Sequence, residues 1–288
     1  MRKKISQFKW APTGKGFYYV AQSKESEVIE KRKESYGDFH HVGKEYKNHC
    51  LYYIAAHEPS VVDQLTDGNA FHIHEFDLSN DGKKAVFMAT PTPDNGDDMN
   101  GDLYLLDMEA GELHKLNINK LLAGSVCFSP EGNKICYAAS IREKEYYQTA
   151  IQDRTLEIYD LDNGERVHPL TDVDSTVIPL RWTSKGILMR WQNKTNYLIG
   201  MLSENGTVEM GNDKVDRFIM DASITSDGNH LSYTKATTNE TFEIYLDGIK
   251  ITNENRFFDG KLKSKREIIS WQSSDGLEIE GVLSTSSV

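Results

Sequence analysis

The chain has 288 residues, of which 38% are hydrophobic and 10% aromatic, so it is long enough to bury a large core. Its 33 Lys and Arg are outnumbered by 44 Asp and Glu. The resulting net charge of −11 argues against a nucleic-acid partner or an anionic membrane, since both require a basic surface. The three cysteines have no CxxC spacing, which is typical of a reducing compartment and not of a disulfide-stabilised fold.

The amino-terminal sequence MRKKISQF is basic, but no apolar stretch of the kind found in signal peptides follows it. No apolar run elsewhere in the sequence is long enough to cross a bilayer. We therefore expect a soluble cytoplasmic protein.

A β-hairpin pattern recurs along the chain and is clearest in VCFSPEGNKICY at residues 126–137. Two apolar strands flank a turn in which Ser129, Pro130 and Gly132 suit the first, second and fourth positions of a type I turn. Weaker copies contain WAPTG, LSNDG, WTSKG and ITSDG, and their spacing is that of propeller blades apart from a longer first interval. The five turns end at Gly14, Gly82, Gly132, Gly186 and Gly228.

Each hairpin is followed by a second pair of apolar strands. Several of these pairs turn at Asn-Gly or Asp-Gly, the residues preferred in type I′ turns. Four strands per unit, repeated five times, predict an all-β fold, a β-propeller of four-stranded blades. The second pairs begin at residues 51–54, 103–107, 156–160, 197–199 and 242–245.

An insertion at residues 24–48 explains the long first interval. Its first part, KESEVIEKRKE, pairs Glu with Lys at i,i+4 and predicts about three turns of exposed helix. One interpretation is a solvated loop. The other is a lid or docking element, since long ordered loops in compact domains tend to be functional. The second interpretation gives a substrate-gating or interface role to Glu34, Tyr36, Asp38, Phe39 and His40.

The sequence lacks the common motifs for nucleophilic catalysis and nucleotide binding. No G-x-S-x-G elbow is present, and Gly124-Ser125, the nearest approach to one, lacks the second glycine and precedes a predicted strand. Neither the Rossmann nor the Walker glycine loop occurs. We therefore expect no catalytic residue and no cofactor in this chain.

Two groups of metal-ligating residue types favour structural interpretations. His72 and His74 share one face of a predicted strand, but a zinc site needs a third ligand, so we interpret them as hydrogen-bonded histidines at a blade edge. The acidic loop at residues 93–102 lacks the closing Glu of an EF-hand, so we interpret it as solvated. Four histidines near the first blade lack ligand or acid–base spacing: His40, His41, His49 and His57.

Cys127 and Cys136 lie on the two strands of the clearest hairpin. We expect them to face each other. Free cysteines usually behave as small buried hydrophobic residues, so we favour that role over a redox pair.

The segment SKREIISWQSSDGLEIEGVL at residues 264–283 breaks the blade pattern. It resembles the start of the α/β-hydrolase domain in serine peptidases of the prolyl oligopeptidase family. The sequences KRKESYGDFH at residues 31–40 and QLTDG at residues 64–68 are similar to the acylaminoacyl-peptidase branch of that family.

The resemblance implies a propeller that caps a Ser-Asp-His hydrolase domain and admits only short or N-acylated peptides. It assigns residues 1–262 to propeller blades and residues 263–288 to a linker and the first strand of a truncated hydrolase domain. Propellers of this family usually have seven blades, so we expect an incomplete ring of about five. The matched segment ends before the catalytic residues of the family, and none is carried over to this chain.

Our leading hypothesis is a non-catalytic, substrate-gating propeller fragment that is inactive alone, binds peptides at most weakly and has the missing hydrolase domain as its partner. The alternative is a self-contained, TolB-like propeller module that recognises a protein or a glycan. Open blade edges invite pairing with another chain, so we also expect self-association.

Overall fold

The protein consists mostly of antiparallel β-strands, as seen in a computed structural model. Most strands belong to four-stranded groups that pair in chain order, which is the arrangement of a propeller blade and confirms the predicted fold class. The structure describes residues 4–39, 41, 43–116, 118, 124–140, 153–170, 175–203, 208–210, 218–237, 239–261 and 264–285.

The first of two compact units comprises Met1–Gln152 and Glu157–Val167. It contains blades 1, 2 and 3, apart from the first residues of the third strand of blade 3. The strands of each blade follow one another across its sheet in chain order. Blade 1 consists of β1 (Ile5–Trp10), β2 (Gly16–Gln22), β3 (His49–Ala55) and β4 (Val62–Gln64), blade 2 of β5 (His72–Leu78), β6 (Lys84–Thr90), β7 (Asp102–Asp107) and β8 (Leu113–Leu116), and blade 3 of β9 (Gly124–Phe128), β10 (Lys134–Ser140), β11 (Arg154–Asp160) and β12 (Arg166–Val167).

The second unit comprises Asp153–Leu156 and His168–Val288. Its eight-stranded sheet consists of blades 4 and 5, joined by a single parallel bridge between Tyr197 and Phe218, and a two-stranded hairpin follows. Blade 4 consists of β13 (Val177–Thr183), β14 (Gly186–Asn193), β15 (Asn196–Leu202) and β16 (Val208–Met210), blade 5 of β17 (Phe218–Ile224), β18 (Leu231–Ala236), β19 (Glu243–Leu246) and β20 (Ile249–Lys250), and the hairpin of β21 (Lys265–Gln272) and β22 (Glu278–Thr285).

In the part of the chain that the structure describes, helical structure consists of short segments between strands. The predicted helix of the insertion is present as α1 (Glu27–Tyr36), and 3-10 turns occur at Asn95–Asn100 and Glu254–Phe258. Among the described residues, no helix has the length and apolar character needed to cross a membrane.

The hydrophobic core of the first unit lies between successive blades. Val20 of blade 1 packs in one cluster with Phe76 of blade 2, and Leu103 of blade 2 packs in another with Tyr137 of blade 3. Alternate residues of one strand therefore contribute to the cores on opposite sides of a blade, as the two-residue period of a strand requires.

The turn at residues 129–132 has the predicted geometry. The Gly132 amide donates to the Ser129 carbonyl at 3.0 Å, and the Lys134 amide donates to the Ser129 hydroxyl at 3.1 Å. Gly132 has a φ of 73°, in the left-handed region that favours glycine. The same hairpin pairs Cys127 with Cys136 across its strands, and both are free and buried, as expected.

The first strand of every blade has a β-bulge against its neighbour, a feature that the sequence analysis did not predict. Bulges increase the local twist of a strand and reverse the alternation of its side chains. The register shifts lie at Ile5/Gln7, Ile73/Glu75, Cys136/Ala138, Pro179/Arg181 and Ile219/Asp221.

Polar side chains of these first strands connect one blade to the next. The Gln7 side-chain oxygen accepts from the Phe76 amide at 2.8 Å, and Lys9 forms an ion pair with Asp77 at 2.6 Å. Asp77 in turn accepts from the Phe128 amide at 2.8 Å. Blades 1, 2 and 3 are therefore joined by hydrogen bonds as well as by their apolar cores.

The second unit has the same kind of link. Arg181 of blade 4 donates to the Ile224 carbonyl of blade 5 at 2.8 Å, and the Lys185 ammonium donates to the Asn229 side-chain oxygen at 2.5 Å. Blades 4 and 5 are thus joined through their first strands and through their first turns.

Candidate functional site

The candidate site is the end of blades 1 and 2 at which the insertion lies. Antiparallel strands alternate in direction, so the loop between the second and third strands and the connection to the next blade share one end of the sheet. We call this end the loop end. In blade 1 it contains the insertion at residues 24–48, and in blade 2 it contains the loop at residues 91–101. The Tyr46 hydroxyl donates to Asp94 at 2.7 Å, which attaches the insertion to blade 2.

Helix α1 has sequence signals at both ends. The Ser26 side chain caps its amino terminus by accepting from the Ile29 amide at 3.4 Å. At the other end, Gly37 has a φ of 88°, and its amide donates to the Lys33 carbonyl at 3.0 Å. No residue of α1 is buried, so polar contacts and not a core hold the helix in place.

Arg32 is the centre of these polar contacts. Its guanidinium forms an ion pair with Glu45, donates to the Phe39 carbonyl at 2.8 Å and lies 4.3 Å from the centroid of the Phe39 ring. Glu45 also lies 3.0 Å from Nδ1 of His41. The hydrogen bond from Arg32 is the largest cause that holds the pKa of Glu45 at about 2. The insertion is therefore folded onto itself around one Arg–Glu pair.

The five residues predicted for this site have different environments. Asp38 forms an ion pair with Lys33 at 3.0 Å, and Phe39 lies beside the guanidinium described above. Glu34 and Tyr36 are exposed on the helix, and His40 lies outside the described residues. The structure thus brings Asp38 and Phe39 into the ion-pair cluster and leaves Glu34 and Tyr36 accessible at its surface.

Three histidine rings lie together at the loop end between blades 1 and 2. The ring of His72 stacks on that of His49 with centroids 4.5 Å apart and meets that of His74 edge-on at 4.8 Å. Nδ1 of His72 accepts from the His49 amide at 3.1 Å. Hydrogen-bonded histidines were predicted here for His72 and His74. The contribution of His49 was missed because it comes from another blade.

Burial is the main cause that lowers the pKa of His72, to about 4, and the neighbouring His49 and His74 contribute. Burial also lowers the pKa of His49. Both rings are therefore neutral near pH 7. The positions of His49 and His72 thus favour uncharged imidazoles, as expected where like charges would be crowded into a partly dry site.

The chemistry available at the loop end is limited. Nε2 of His74 lies 2.8 Å from the Thr90 hydroxyl, which resembles a base beside a nucleophile. Thr90 is buried, however, and its hydroxyl donates to the Thr92 carbonyl at 2.6 Å, so a substrate has no access to it. Within the described ranges, no group of three His, Cys, Asp or Glu side chains is arranged to hold a metal ion.

The acidic loop of blade 2 uses its carboxylates internally. Asp97 accepts from the Thr92 hydroxyl and from the Asn100 amide group, the latter at 3.2 Å. Asp94 accepts from Tyr46, as described above. These side chains shape the loop and connect it to the insertion.

In the second unit, the hairpin formed by β21 and β22 lies at the loop ends of blades 4 and 5. Lys194, in the turn between β14 and β15, forms an ion pair with Glu278 at 2.7 Å, and the Thr195 amide donates to Glu280 at 3.1 Å. In the loop between β18 and β19, the Asn239 side-chain oxygen accepts from the Arg266 amide at 3.3 Å. The segment that resembles the start of a hydrolase domain is therefore attached to two blades.

Similarity to solved structures establishes the β-propeller fold. Pyrococcus horikoshii acylaminoacyl peptidase matches 98% of this chain with a TM-score of 0.68 at 18% identity, and the match covers 43% of the peptidase chain. A structure from a study of two prolyl endopeptidases matches 96% of this chain with a TM-score of 0.61 at 12% identity and is covered to 39%. In these peptidases the matched part is the β-propeller portion, as the sequence resemblance predicted.

In a second group of similar structures, the match covers a larger share of the other protein's chain. Putative TolB from Agrobacterium tumefaciens matches 86% of this chain with a TM-score of 0.59 at 16% identity, and the match covers 79% of the TolB chain. The chain therefore spans less than half of the peptidases but most of this TolB. No family model matches the sequence, and no curated protein matches it.

Proposed function

We propose that this chain is the substrate-gating propeller portion of a serine peptidase of the prolyl oligopeptidase type, similar to acylaminoacyl peptidases. One observation carries the proposal. The match to the Pyrococcus horikoshii acylaminoacyl peptidase includes almost all of this chain but only 43% of the peptidase. In this proposal the catalytic residues belong to the α/β-hydrolase domain that is the partner of these blades, and the residues of this chain have no peptidase activity on their own.

The gating is steric. The insertion lies at the loop end of blade 1, where it would face a hydrolase domain. The hairpin of β21 and β22 lies at the loop ends of blades 4 and 5. Exposed Tyr36 and Glu34 on α1 provide contacts for that domain or for a short peptide, while the Arg32–Glu45 pair holds the helix in position. In this proposal the blades exclude folded proteins from a chamber between them and the hydrolase domain. The three buried thiols suit a reducing compartment, and we place the protein in the cytoplasm.

A second candidate function is a self-contained binding module of the TolB type. The observation that favours it is the length of the match, since 79% of the Agrobacterium tumefaciens TolB chain is covered. In this alternative the loop end binds a protein or a glycan directly, and no catalytic partner exists.

A fluorophosphonate probe, which labels the active serine of hydrolases, tests both functions. We expect the purified chain to remain unlabelled and to release no product from acyl-amino-acid nitroanilides. In a lysate of the native cells treated with a biotinylated probe, we expect peptides of this chain to co-purify with a labelled serine. Labelling of the purified chain would refute the absence of activity. Peptides that never co-purify with a labelled hydrolase would favour the binding module.

A further inference from the structure

The two cysteines of blade 3 lie at positions that a disulfide bond can join. Cys127 of β9 and Cys136 of β10 are directly opposite each other in the hairpin. The next pair toward the turn, Phe128 with Ile135, keeps the same register, and the bulge of this hairpin lies on the other side, between Cys136 and Ala138. Residues opposite each other on antiparallel strands point to the same face of the sheet, so the two thiols lie side by side.

The spacing of the two strands fits a disulfide without movement of the backbone. The Cα atoms of directly opposite residues are about 4.5–5.5 Å apart in an antiparallel pair. A disulfide joins residues whose Cα atoms are about 4.4–6.8 Å apart. Burial raises the pKa of the Cys136 thiol, and the neighbouring Cys127 thiol raises it further, which reflects how close the two groups are. Only the side chains therefore have to turn for the two sulfurs to bond.

The cysteine pair is separate from the core that blade 3 shares with blade 2. Phe128 and Ile135 belong to that core. Cys127 and Cys136 are their neighbours in sequence and point to the opposite face, because successive side chains of a strand alternate. Cys136 is completely buried, whereas Cys127 is 6% exposed. A bond between them thus leaves the contact with blade 2 in place, and Cys127 is the thiol that a small solute reaches first.

From this geometry we infer that Cys127 and Cys136 form a reversible disulfide when the chain is exposed to hydrogen peroxide. This oxidant is hardly larger than water, so a small local opening of the hairpin admits it. Disulfides in reducing compartments are usually transient and catalytic or redox-sensing, and a thiol reductant returns this pair to its reduced state. The inference is independent of the proposed peptidase function.

The reaction takes two steps. Cys127 loses its proton and its sulfur attacks one oxygen of hydrogen peroxide; the O–O bond breaks, and the departing hydroxide takes up the proton as water, which leaves a sulfenic acid. The sulfur of Cys136 then attacks that of Cys127, the S–O bond breaks, and the second hydroxide leaves as water with the Cys136 proton. Two thiols are oxidised, and one peroxide is reduced to two waters. Burial slows the first step, so the disulfide accumulates under sustained oxidation.

Peptide mapping tests the pair in the folded wild-type chain. The protein is treated with hydrogen peroxide, quenched with catalase, unfolded, alkylated and digested with trypsin without reduction. Lys134 separates the two cysteines, so the disulfide joins two tryptic peptides whose combined mass is lower by two hydrogen atoms. We expect the number of alkylated thiols to fall from three to one, with Cys50 still alkylated, and to return to three after treatment with dithiothreitol.

Three variants separate the roles of the cysteines. In Cys136→Ala the sulfenic acid has no second thiol to react with, so dimedone, which reacts with sulfenic acids, should label Cys127. In Cys127→Ala the first step is lost, and Cys136 should remain a thiol. Cys50→Ala removes the buried thiol of blade 1 and is the matched control, which should form the disulfide as the wild type does. Circular dichroism shows whether each variant is folded, and the wild-type map depends on none of them.

Three results would overturn the inference. The first is a folded wild type in which both cysteines of blade 3 remain alkylatable after peroxide has oxidised the exposed Met220 to its sulfoxide, since the dose would then have been sufficient. The second is a disulfide that forms only in urea, because the register of the folded hairpin would not be its cause. The third is a wild-type disulfide that includes Cys50, since that residue lies in another blade.

Discussion

His72 illustrates how much a single residue depends on its neighbours in space. Its ring lies between those of His49 and His74, and its Nδ1 is occupied by the His49 amide. A proton on this ring would place a charge in a buried site beside two further imidazoles. The pKa of about 4 expresses that cost, against an ordinary value of 6.5.

This lowered pKa predicts a loss of stability in acid. The unfolded chain binds a proton at His72 near pH 6.5, whereas the folded chain does so only near pH 4. The contribution of His72 is therefore present above pH 6.5 and is lost as the pH falls toward 4. We expect the wild type to lose about 1–2 kcal/mol more than His72→Asn between pH 7 and 5, as measured by urea unfolding.

Asn is chosen for this variant because its side-chain oxygen can still accept from the His49 amide. His57→Asn, at an exposed turn of blade 1, is the matched control and should keep the wild-type pH dependence. Equal pH dependence in His72→Asn and the wild type would show that His72 is protonated in the folded state at these pH values.

At the scale of elements, the insertion shows what an exposed helix needs in order to stay in place. Helix α1 has no buried residue, and its cap and its ion pairs come from residues of the same insertion. Exposed ion pairs contribute little, but the Arg32–Glu45 pair is shielded and also supports Phe39. The order of the segment therefore depends on that pair more than on helix propensity.

We predict that Glu45→Gln loosens the insertion without unfolding the blades. Loss of the carboxylate leaves the Arg32 guanidinium without its ion-pair partner and frees the Phe39 backbone to move. Trypsin should then cleave after Lys31, Arg32 and Lys33 faster than in the wild type, because cleavage requires local opening. Mass spectrometry of the early fragments locates the cleavage sites.

Glu34→Gln makes the same chemical change on the exposed side of the same helix, and we expect its cleavage rate to match that of the wild type. Equal cleavage rates in the two variants would show that the Arg32–Glu45 pair does not hold the segment.

The strands, turns and helix of this protein could be predicted because they are set by local sequence. The turn at Ser129 to Gly132, the cap at Ser26 and the apolar alternation of the hairpins depend on residues a few positions apart. The histidine cluster and the Tyr46–Asp94 contact could not, because they join residues of different blades. The bulges were missed for another reason: the two-residue period that identifies a strand hides a single extra residue.

At the scale of the whole molecule, stability depends on how each blade binds its neighbour. In the first unit, Asp77 of blade 2 contacts the blades on both sides, through Lys9 and through the Phe128 amide. Repeat proteins gain much of their stability from such nearest-neighbour contacts.

We predict that Asp77→Ala weakens the contacts of blade 2 with both blade 1 and blade 3. The variant leaves the Phe128 amide without its acceptor and removes the partner of Lys9, so it should cost about 1–3 kcal/mol. Hydrogen exchange should accelerate at Phe128 and in β1, where a blade loses its link. Asp63→Ala, on the exposed outer strand of blade 1, is the control and should leave exchange in β9 unchanged. Unchanged exchange at Phe128 in Asp77→Ala would contradict the link.

The bulge in the first strand of each blade has a consequence for how such a chain can change over evolutionary time. A strand without a bulge cannot gain or lose one residue without turning its apolar side to the wrong face. In a strand with a bulge, an insertion or deletion can shift or remove the unpaired residue, and the side chains of the rest of the strand keep their orientation. Among descendants of this chain, we therefore expect length differences in the first strands to concentrate near Ser6, His74, Leu180 and Met220, while the turns keep a constant length.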